Sequence, residues 1–396
     1  MRLLPRCVGV SLACLFLLLS PGSGSLRAAD DDAKPEGKRV TFPSYDEVTL
    51  TGTFYSSTPA AGTKDRGAVV ILLHDFSHVK GGGRNETGLI HLAGELQKAG
   101  YSVLSFDFRG FGDSKSVSEK FWSYPTNRGL KGASKRPHPP ASIDQKDFPG
   151  SYYLMLINDI AAARSYLNVL NDAGDVNSSN ILVVGAGQGA TLGALWMATE
   201  CRRQRDNQSD RLLPGMAPQL RKLDDPEGND LGAAVWLTIK PAVETKLLGG
   251  PVKTALMDTA KTAKIPTYFL YGKNDQKAAD LADNYVKAIT MTKSGETTDT
   301  KNVKAKAIPG TGDLAGSMLL GAKHKTAKEV VDFLNRIIED RGTRVRKERQ
   351  EAKYAFCWSL PWPTARNIRA RPLAKLPGEP LTHILSPEVL GVLGVR

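Results

Sequence analysis

The nine residues Phe106-Asp107-Phe108-Arg109-Gly110-Phe111-Gly112-Asp113-Ser114 decide how this chain is read. They follow on from a strand predicted over residues 102–106, and beyond Phe106 charged groups alternate with aromatic rings. Gly110 and Gly112 let the backbone turn tightly where a strand stops. Asp107 stands with Arg109 next to a buried strand end, where unpaired charge is costly, so Asp107 with Arg109 is expected to form structural polar pairs. The stretch reads as scaffold just past the carboxyl end of a sheet strand.

Outward from this stretch, strands alternate with helices. Residues 68–73 are a continuous apolar run, as in a strand buried on both faces. Leu89, Leu92, Ala93 and Leu96 have helical spacing over residues 87–98, and Gly100 stops the pattern. Upstream, apolar and polar residues alternate through 40–42 and 48–55, which predicts two strands joined by a turn. Downstream, strands are predicted over 181–184, 233–239, 267–271 and 303–308, and helices over 152–170, 191–201, 278–289 and 327–338. Repeated units of this length imply an α/β protein with a doubly wound, mostly parallel β-sheet flanked by helices. Residues 115–150, rich in Pro, Ser and Lys, and the polar residues 203–231 read as insertions, and no internal repeat is present.

The 396 residues are 41% hydrophobic and 24% charged, which excludes collagen-like, disordered and polytopic membrane classes. The net charge of +12 is unevenly placed. Residues 1–29 hold three basic groups and no acid, and residues 341–396 hold eleven basic and four acidic groups, so the 30–340 body is only +2. That near-neutral body removes nucleic acid as an expected partner. Arg2 and Arg6, the apolar residues 7–19 and the turn formers Ser20-Pro21-Gly22 make residues 1–29 a signal peptide, with cleavage near Ala28 or Ala29. The apolar run is too short for a comfortable membrane span. Export to a periplasm, cell envelope or medium is therefore expected. Cys7 and Cys14 leave with the signal, and Cys201 and Cys357 remain either as thiols or as a disulfide.

Four segments, in order along this sheet, give the chain a resemblance to the α/β-hydrolase superfamily, closest to its dienelactone-hydrolase or esterase branch, over residues 39–340. The first is Leu72-Leu73-His74-Asp75-Phe76, where the family has a His-Gly turn that donates a backbone N–H to the oxyanion hole. The second is the opening stretch, which matches D-x-R-G-x-G-x-S. The third is Val183-Val184-Gly185-Ala186-Gly187-Gln188-Gly189-Ala190, at the place of the nucleophile elbow G-x-S-x-G. The fourth joins residues 267–275, ending on Asp275, to the loop at 308–319.

The resemblance implies a site whose chemistry is depleted. The nucleophile position falls on Gly187, which has no side chain to form an acyl-enzyme. Gln188 follows it, where a backbone N–H completes the oxyanion hole together with the Asp75-Phe76 turn. Asp75 puts a carboxylate near a site meant for an anion. Asp275 keeps the position of the triad acid, a vestigial role. The base position falls on Ala315, followed by Gly316, and neither Leu314 nor Asp313 replaces it. His324, nine residues on, is read as a solvated residue at a helix start.

Other constellations point less far. Gly81-Gly82-Gly83-Arg84 lacks the Lys-Ser/Thr of a phosphate loop, and Gly185-Ala186-Gly187-Gln188-Gly189 is one residue short of G-x-G-x-x-G. His74, Asp75 and His78 have a metal-like spacing that works on a helix and not on a strand-end loop. Residues 171–177 lack the acidic pattern of a calcium loop and read as a polar turn. No metal and no cofactor is expected. Trp122, Tyr124, Tyr152, Tyr153 and Trp196 are expected to pack the interior, with cleft lining as the alternative.

From Arg341 the composition shifts from Lys to Arg. Residues 341–353 suit a charged extension of the last helix, and the remainder shows neither helical nor strand period. A disordered appendage is expected, with a basic membrane- or polyanion-binding tail and a frame-shifted coding end as alternatives. Together these readings point to an exported pseudo-hydrolase that binds a small molecule or partner in a vestigial cleft. The alternative is an esterase-like hydrolase with an unrecognised nucleophile.

Overall fold

The computed structural model describes residues 35–44, 46–76, 83–133, 139–208, 230–242, 249–291, 302–342 and 344–347. The signal peptide expected at 1–29, His78, Cys357, residues 209–229 of the second insertion and residues beyond 347 lie outside the described residues.

Eight strands form one sheet: β1 (Lys38–Pro43), β2 (Thr49–Tyr55), β3 (Val69–Leu73), β4 (Ser102–Phe106), β5 (Ile181–Ala186), β6 (Leu231–Leu237), β7 (Thr267–Gly272) and β8 (Val303–Ile308). Their order is β1-β2-β4-β3-β5-β6-β7-β8. Only β2 runs against the others: it pairs antiparallel with β1 and β4, and every pair from β4 to β8 is parallel. Each of the eight corresponds to a strand predicted from the sequence.

The helices are α1 (Thr87–Lys98), α2 (Ile157–Ala173), α3 (Gly187–Gln208), α4 (Gly249–Leu256), α5 (Gln276–Thr290) and α6 (Thr326–Arg341). All five residues of β3 are buried because the sheet is covered on both sides. Val69, Ile71 and Leu73 face the core that α2, α3, α4 and α5 close, with Ile160, Leu195, Val252 and Ile289 in it. Val70 and Leu72 point to the opposite core, closed by Leu92 and Leu96 of α1 and Val330 and Leu334 of α6. The two-residue strand period thus feeds both layers at once.

Several expectations are corrected. Residues 152–156 form a 3₁₀ turn, Gly150–Leu156, ahead of α2. Residues 203–208 belong to α3 and Leu231 to β6, so the second insertion is shorter at both ends. The sequence reading missed α4, because Gly249-Gly250-Pro251 at its start look like breakers, although proline is tolerated in a first helical turn. The 115–150 insertion is built into the domain through 3₁₀ turns that bury Phe121 and Trp122. Trp122, Tyr152, Tyr153 and Trp196 are buried, in line with a packing role, whereas Tyr124 is only half-buried.

The last helix does not continue to residue 353. It stops at Arg341 on Gly342, whose φ is +69°. Residues 344–347 then run as a strap along the turn between α2 and β5. Asn177 Nδ2 donates to the Arg344 carbonyl at 2.8 Å, and Asn171 Nδ2 donates to the Lys347 carbonyl at 2.8 Å. Arg346 Nη1 donates to the Asn171 carbonyl at 2.6 Å, and the Lys347 N–H donates to Ser179 Oγ at 3.2 Å. The ordered body therefore reaches past residue 340.

Candidate functional site

Parallel strands end together at one edge of the sheet, and there the loops after β3, β5, β7 and β8 carry the residues singled out above. Ladder pairing sets Leu73, the last residue of β3, opposite Gly185 of β5. His74, Asp75 and Phe76 therefore emerge beside the turn from Ala186 into α3. Gly187 is the first residue of that helix, with φ of +54°. A left-handed backbone at a strand-to-helix corner is strained for most residues and easy for glycine.

The Asp75 carboxylate lies in this corner. It is fully buried, and its Oδ1 accepts the Phe76 N–H at 2.7 Å and the Gln188 N–H at 3.2 Å. The sequence reading placed Asp75, Phe76 and Gln188 around an oxyanion hole. The three do meet, but Asp75 enters as the acceptor and not as a donor. Its short side chain folds back over the next peptide, as aspartate does in turns. Gln188 N–H is one of the first-turn amides of α3 that have no partner within the helix, at the positive end of its dipole. Hydrogen bonds of amides to a charged group contribute about 1.5–3 kcal/mol each, which offsets the burial of the carboxylate.

Two glycines face that carboxylate. A Cβ on Gly187 would overlap its Cγ and both oxygens. A Cβ on Gly316, where φ is +58°, would overlap Oδ2. Gly187 and the Ala315-Gly316 step therefore converge on one group, from the β5 and β8 sides of the site. Ala315 opens the 3₁₀ turn Gly316–Leu320 and is half-buried.

Asp275 has a different local task. It is the N-cap of α5, and its Oδ1 accepts the Ala278 N–H at 3.0 Å, the one hydrogen bond of its carboxylate among the described residues. Its loop is laced to the base loop through the Asn274 N–H and the Gly312 carbonyl at 2.9 Å, and through the Lys273 N–H and Thr311 Oγ1 at 3.1 Å. His324 precedes α6, its N–H bonded to the Gly321 carbonyl.

The neighbouring groups hold the corner rigid. The Phe108 N–H donates to His74 Nε2 at 3.1 Å, so the ring proton sits on Nδ1, which donates to the Asp75 carbonyl at 3.0 Å. Phe76, Phe108 and Phe111 surround the His74 ring. Both its nitrogens are engaged with backbone groups.

Asp107 and Arg109 both enter structural pairs, but not with each other as the sequence suggested. Asp107 takes the Arg84 guanidinium and the Arg84 and Asp113 N–H groups, so Arg84, discounted with its glycine run, closes the turn. Arg109 is fully buried between Asp46 and Asp159 and also donates to Ser44 and Tyr152. Burial alone would depress its pKa, but the Asp159 and Asp46 charges outweigh it and hold the guanidinium well above its usual value.

No cluster of three potential metal-ligating side chains occurs among the described residues. An open groove of about 540 Å³ lies between α4 and α5, lined by Lys253, Tyr285 and Lys287 among others, and none of the corner residues borders it.

The strand order with its single reversed strand, and the glycine corner from β5 into α3, have one reading. This is the α/β-hydrolase fold. No family model and no curated relative matches the sequence. Among solved structures, the chain is similar to an α/β serine hydrolase without a lid from Xanthomonas campestris, at 11% identity and a TM-score of 0.42, over 78% of this chain and 97% of that one. It is similar to a Pyrococcus furiosus esterase, at 16% identity and a TM-score of 0.40, over 76% of this chain and 92% of the esterase. An α/β hydrolase from Vibrio vulnificus shares 17% identity, with a TM-score of 0.41, over 75% of this chain and 81% of that one.

The sequence reading missed what the Asp75 side chain does. In the resemblance drawn from the sequence, Asp75 stood at the position of a turn glycine and Gly187 at the position of the nucleophile, and nothing in that pattern showed that the two would touch.

Proposed function

We propose that this chain is an exported, non-catalytic α/β-hydrolase-fold protein that acts by binding, a pseudo-hydrolase. The observation that carries the reading is Gly187 at the elbow, left-handed, without a side chain, and with the Asp75 carboxylate in the space a nucleophile would need. Covalent catalysis requires a nucleophile and a base in mutual reach. Here the first position is glycine, the second is Ala315, and His74 is committed to the backbone. Phe76 stays half-buried at the corner, so a small molecule or partner seated there meets an aromatic face rather than a reactive group.

A fluorophosphonate probe and a panel of activated esters test this on the full chain. The expected result is no labelling and no turnover above the uncatalysed rate. Labelling or turnover that survives loss of Asp275 but disappears on one other substitution would establish a working hydrolase and overturn the proposal.

A further inference from the structure

We propose that the groove between α4 and α5 binds an aliphatic carboxylate, with its charge met by Lys253 and Lys287 and its chain by the apolar lining between them. The site is separate from the glycine corner, and the inference stands whatever the corner does.

The size and the lining of the groove set the ligand class. Its volume of about 540 Å³ falls within the roughly 300–1,000 Å³ of ordinary small-ligand pockets. Leu281, Tyr285 and Ala288 recur at helical spacing along α5, and Met291 follows its last turn. Lys253 comes from α4 and Lys287 from α5; both are exposed. No carboxylate and no arginine borders the groove among the described residues. Two ammonium groups beside apolar surface suit one anionic head on an apolar body. Without an arginine fork the lining lacks the group favoured for phosphate, which leaves a carboxylate as the fitting head.

A second observation points to an occupant. Tyr285 is buried, and its hydroxyl has no hydrogen-bond partner among the described residues. A buried hydroxyl without a partner is costly, and a ligand oxygen in the groove would supply one. Burial pushes the phenol up to about 12, so it stays a donor at neutral pH. The walls are also fixed to each other. Beyond Leu256, α4 widens into a π-helical turn, Met257–Thr262, a rare form frequent at functional sites. From that turn Lys261 Nζ donates to the Met291 carbonyl at 2.7 Å, tying it to the end of α5.

Calorimetric titration of the full chain with sodium octanoate tests the assignment. Saturable binding at one site is expected, with sodium acetate and octylammonium chloride each at least about tenfold weaker, since one lacks the chain and the other the charge. Lys253→Gln combined with Lys287→Gln should weaken octanoate about fivefold or more. Tyr285→Phe should weaken it about threefold while leaving the thermal midpoint in place, because the hydroxyl has no partner in the protein to lose. An octanoate isotherm that does not saturate overturns the proposal. So does acetate binding as tightly as octanoate, or an unchanged affinity in the double lysine variant. Octanoate binding that is lost in Phe76→Ala and kept in all the groove variants would assign the ligand to the corner and also overturn it.

Discussion

The carboxylate of Asp75 occupies the space that a side chain on Gly187 would enter. Restoring a triad by Gly187→Ser with Ala315→His alone should therefore fail. The serine Cβ would be driven into a buried charged group while strained at φ of +54°, and overpacking of this kind costs about 1–3 kcal/mol. The double variant should melt below the parent protein and stay unlabelled by a fluorophosphonate. Adding Asp75→Gly relieves the collision and empties the two amides. Labelling is expected only in that triple variant, and labelling of the double variant would show that the carboxylate moves aside.

Asp275 owes its place to a helix end. Its Oδ1 caps α5 through the Ala278 N–H. Asp275→Ala should lower unfolding free energy by about 1 kcal/mol, and Asp275→Ser should recover most of it, since serine caps nearly as well. Denaturant unfolding of the three proteins measures this. A triad remnant with no capping role would show no such recovery.

Sheet and helices were legible because apolar runs such as residues 69–73 and helical spacing such as Leu89, Leu92 and Leu96 are local signals. The four loops of the site could be located for the same reason, since each sits where a strand pattern stops. What the Asp75 side chain touches was not legible. Its partners are Phe76 beside it and Gln188, more than a hundred positions away, and only the sheet order brings β3 and β5 together. Arg84 is a similar case. In a glycine-rich run it looks like loop chemistry, yet folding sets it on Asp107 and Asp113.

Acid should weaken the closure of the turn that follows β4. Asp113 accepts from Arg84 Nη2 at 2.8 Å and lies 3.3 Å from Arg39 Nη1. The Arg84 hydrogen bond, with the charges of both arginines, holds its carboxyl below the usual carboxylate range. The folded chain thus gives up this proton more readily than the unfolded one. Its contribution is complete above the unfolded pKa and is lost as pH falls through the lower folded value, below about pH 4. Asp113→Asn should flatten that part of the stability profile. At neutral pH the loss should stay under about 1 kcal/mol, because the group is solvent-screened and surface pairs are weak. About 1 M salt should shrink the difference further, and an unchanged acid profile would show that the pair does not couple to folding.

The strap at 344–347 predicts where the chain can be cut. Residues 344, 346 and 347 share four hydrogen bonds with Asn171, Asn177 and Ser179 at the base of β5. The Asn171 amide also receives the Ser178 N–H on its oxygen at 2.9 Å, so the strap and the turn into β5 are held through one side chain. Ending the chain after Lys347 leaves these bonds intact, whereas ending it after Arg341 exposes them to water. Net contributions of about 0.5–1.5 kcal/mol per bond, less what water restores, put the difference at about 1–3 kcal/mol. The chain ending at 347 should match the full protein in thermal midpoint, and the chain ending at 341 should melt lower. Asn171→Ala in the full chain removes one strap bond, Nδ2 to the Lys347 carbonyl, together with the Ser178 bond, so it should cost less in the shorter chain, where only the Ser178 bond remains to be lost. Equal midpoints for the two truncations would mean that the domain ends with α6.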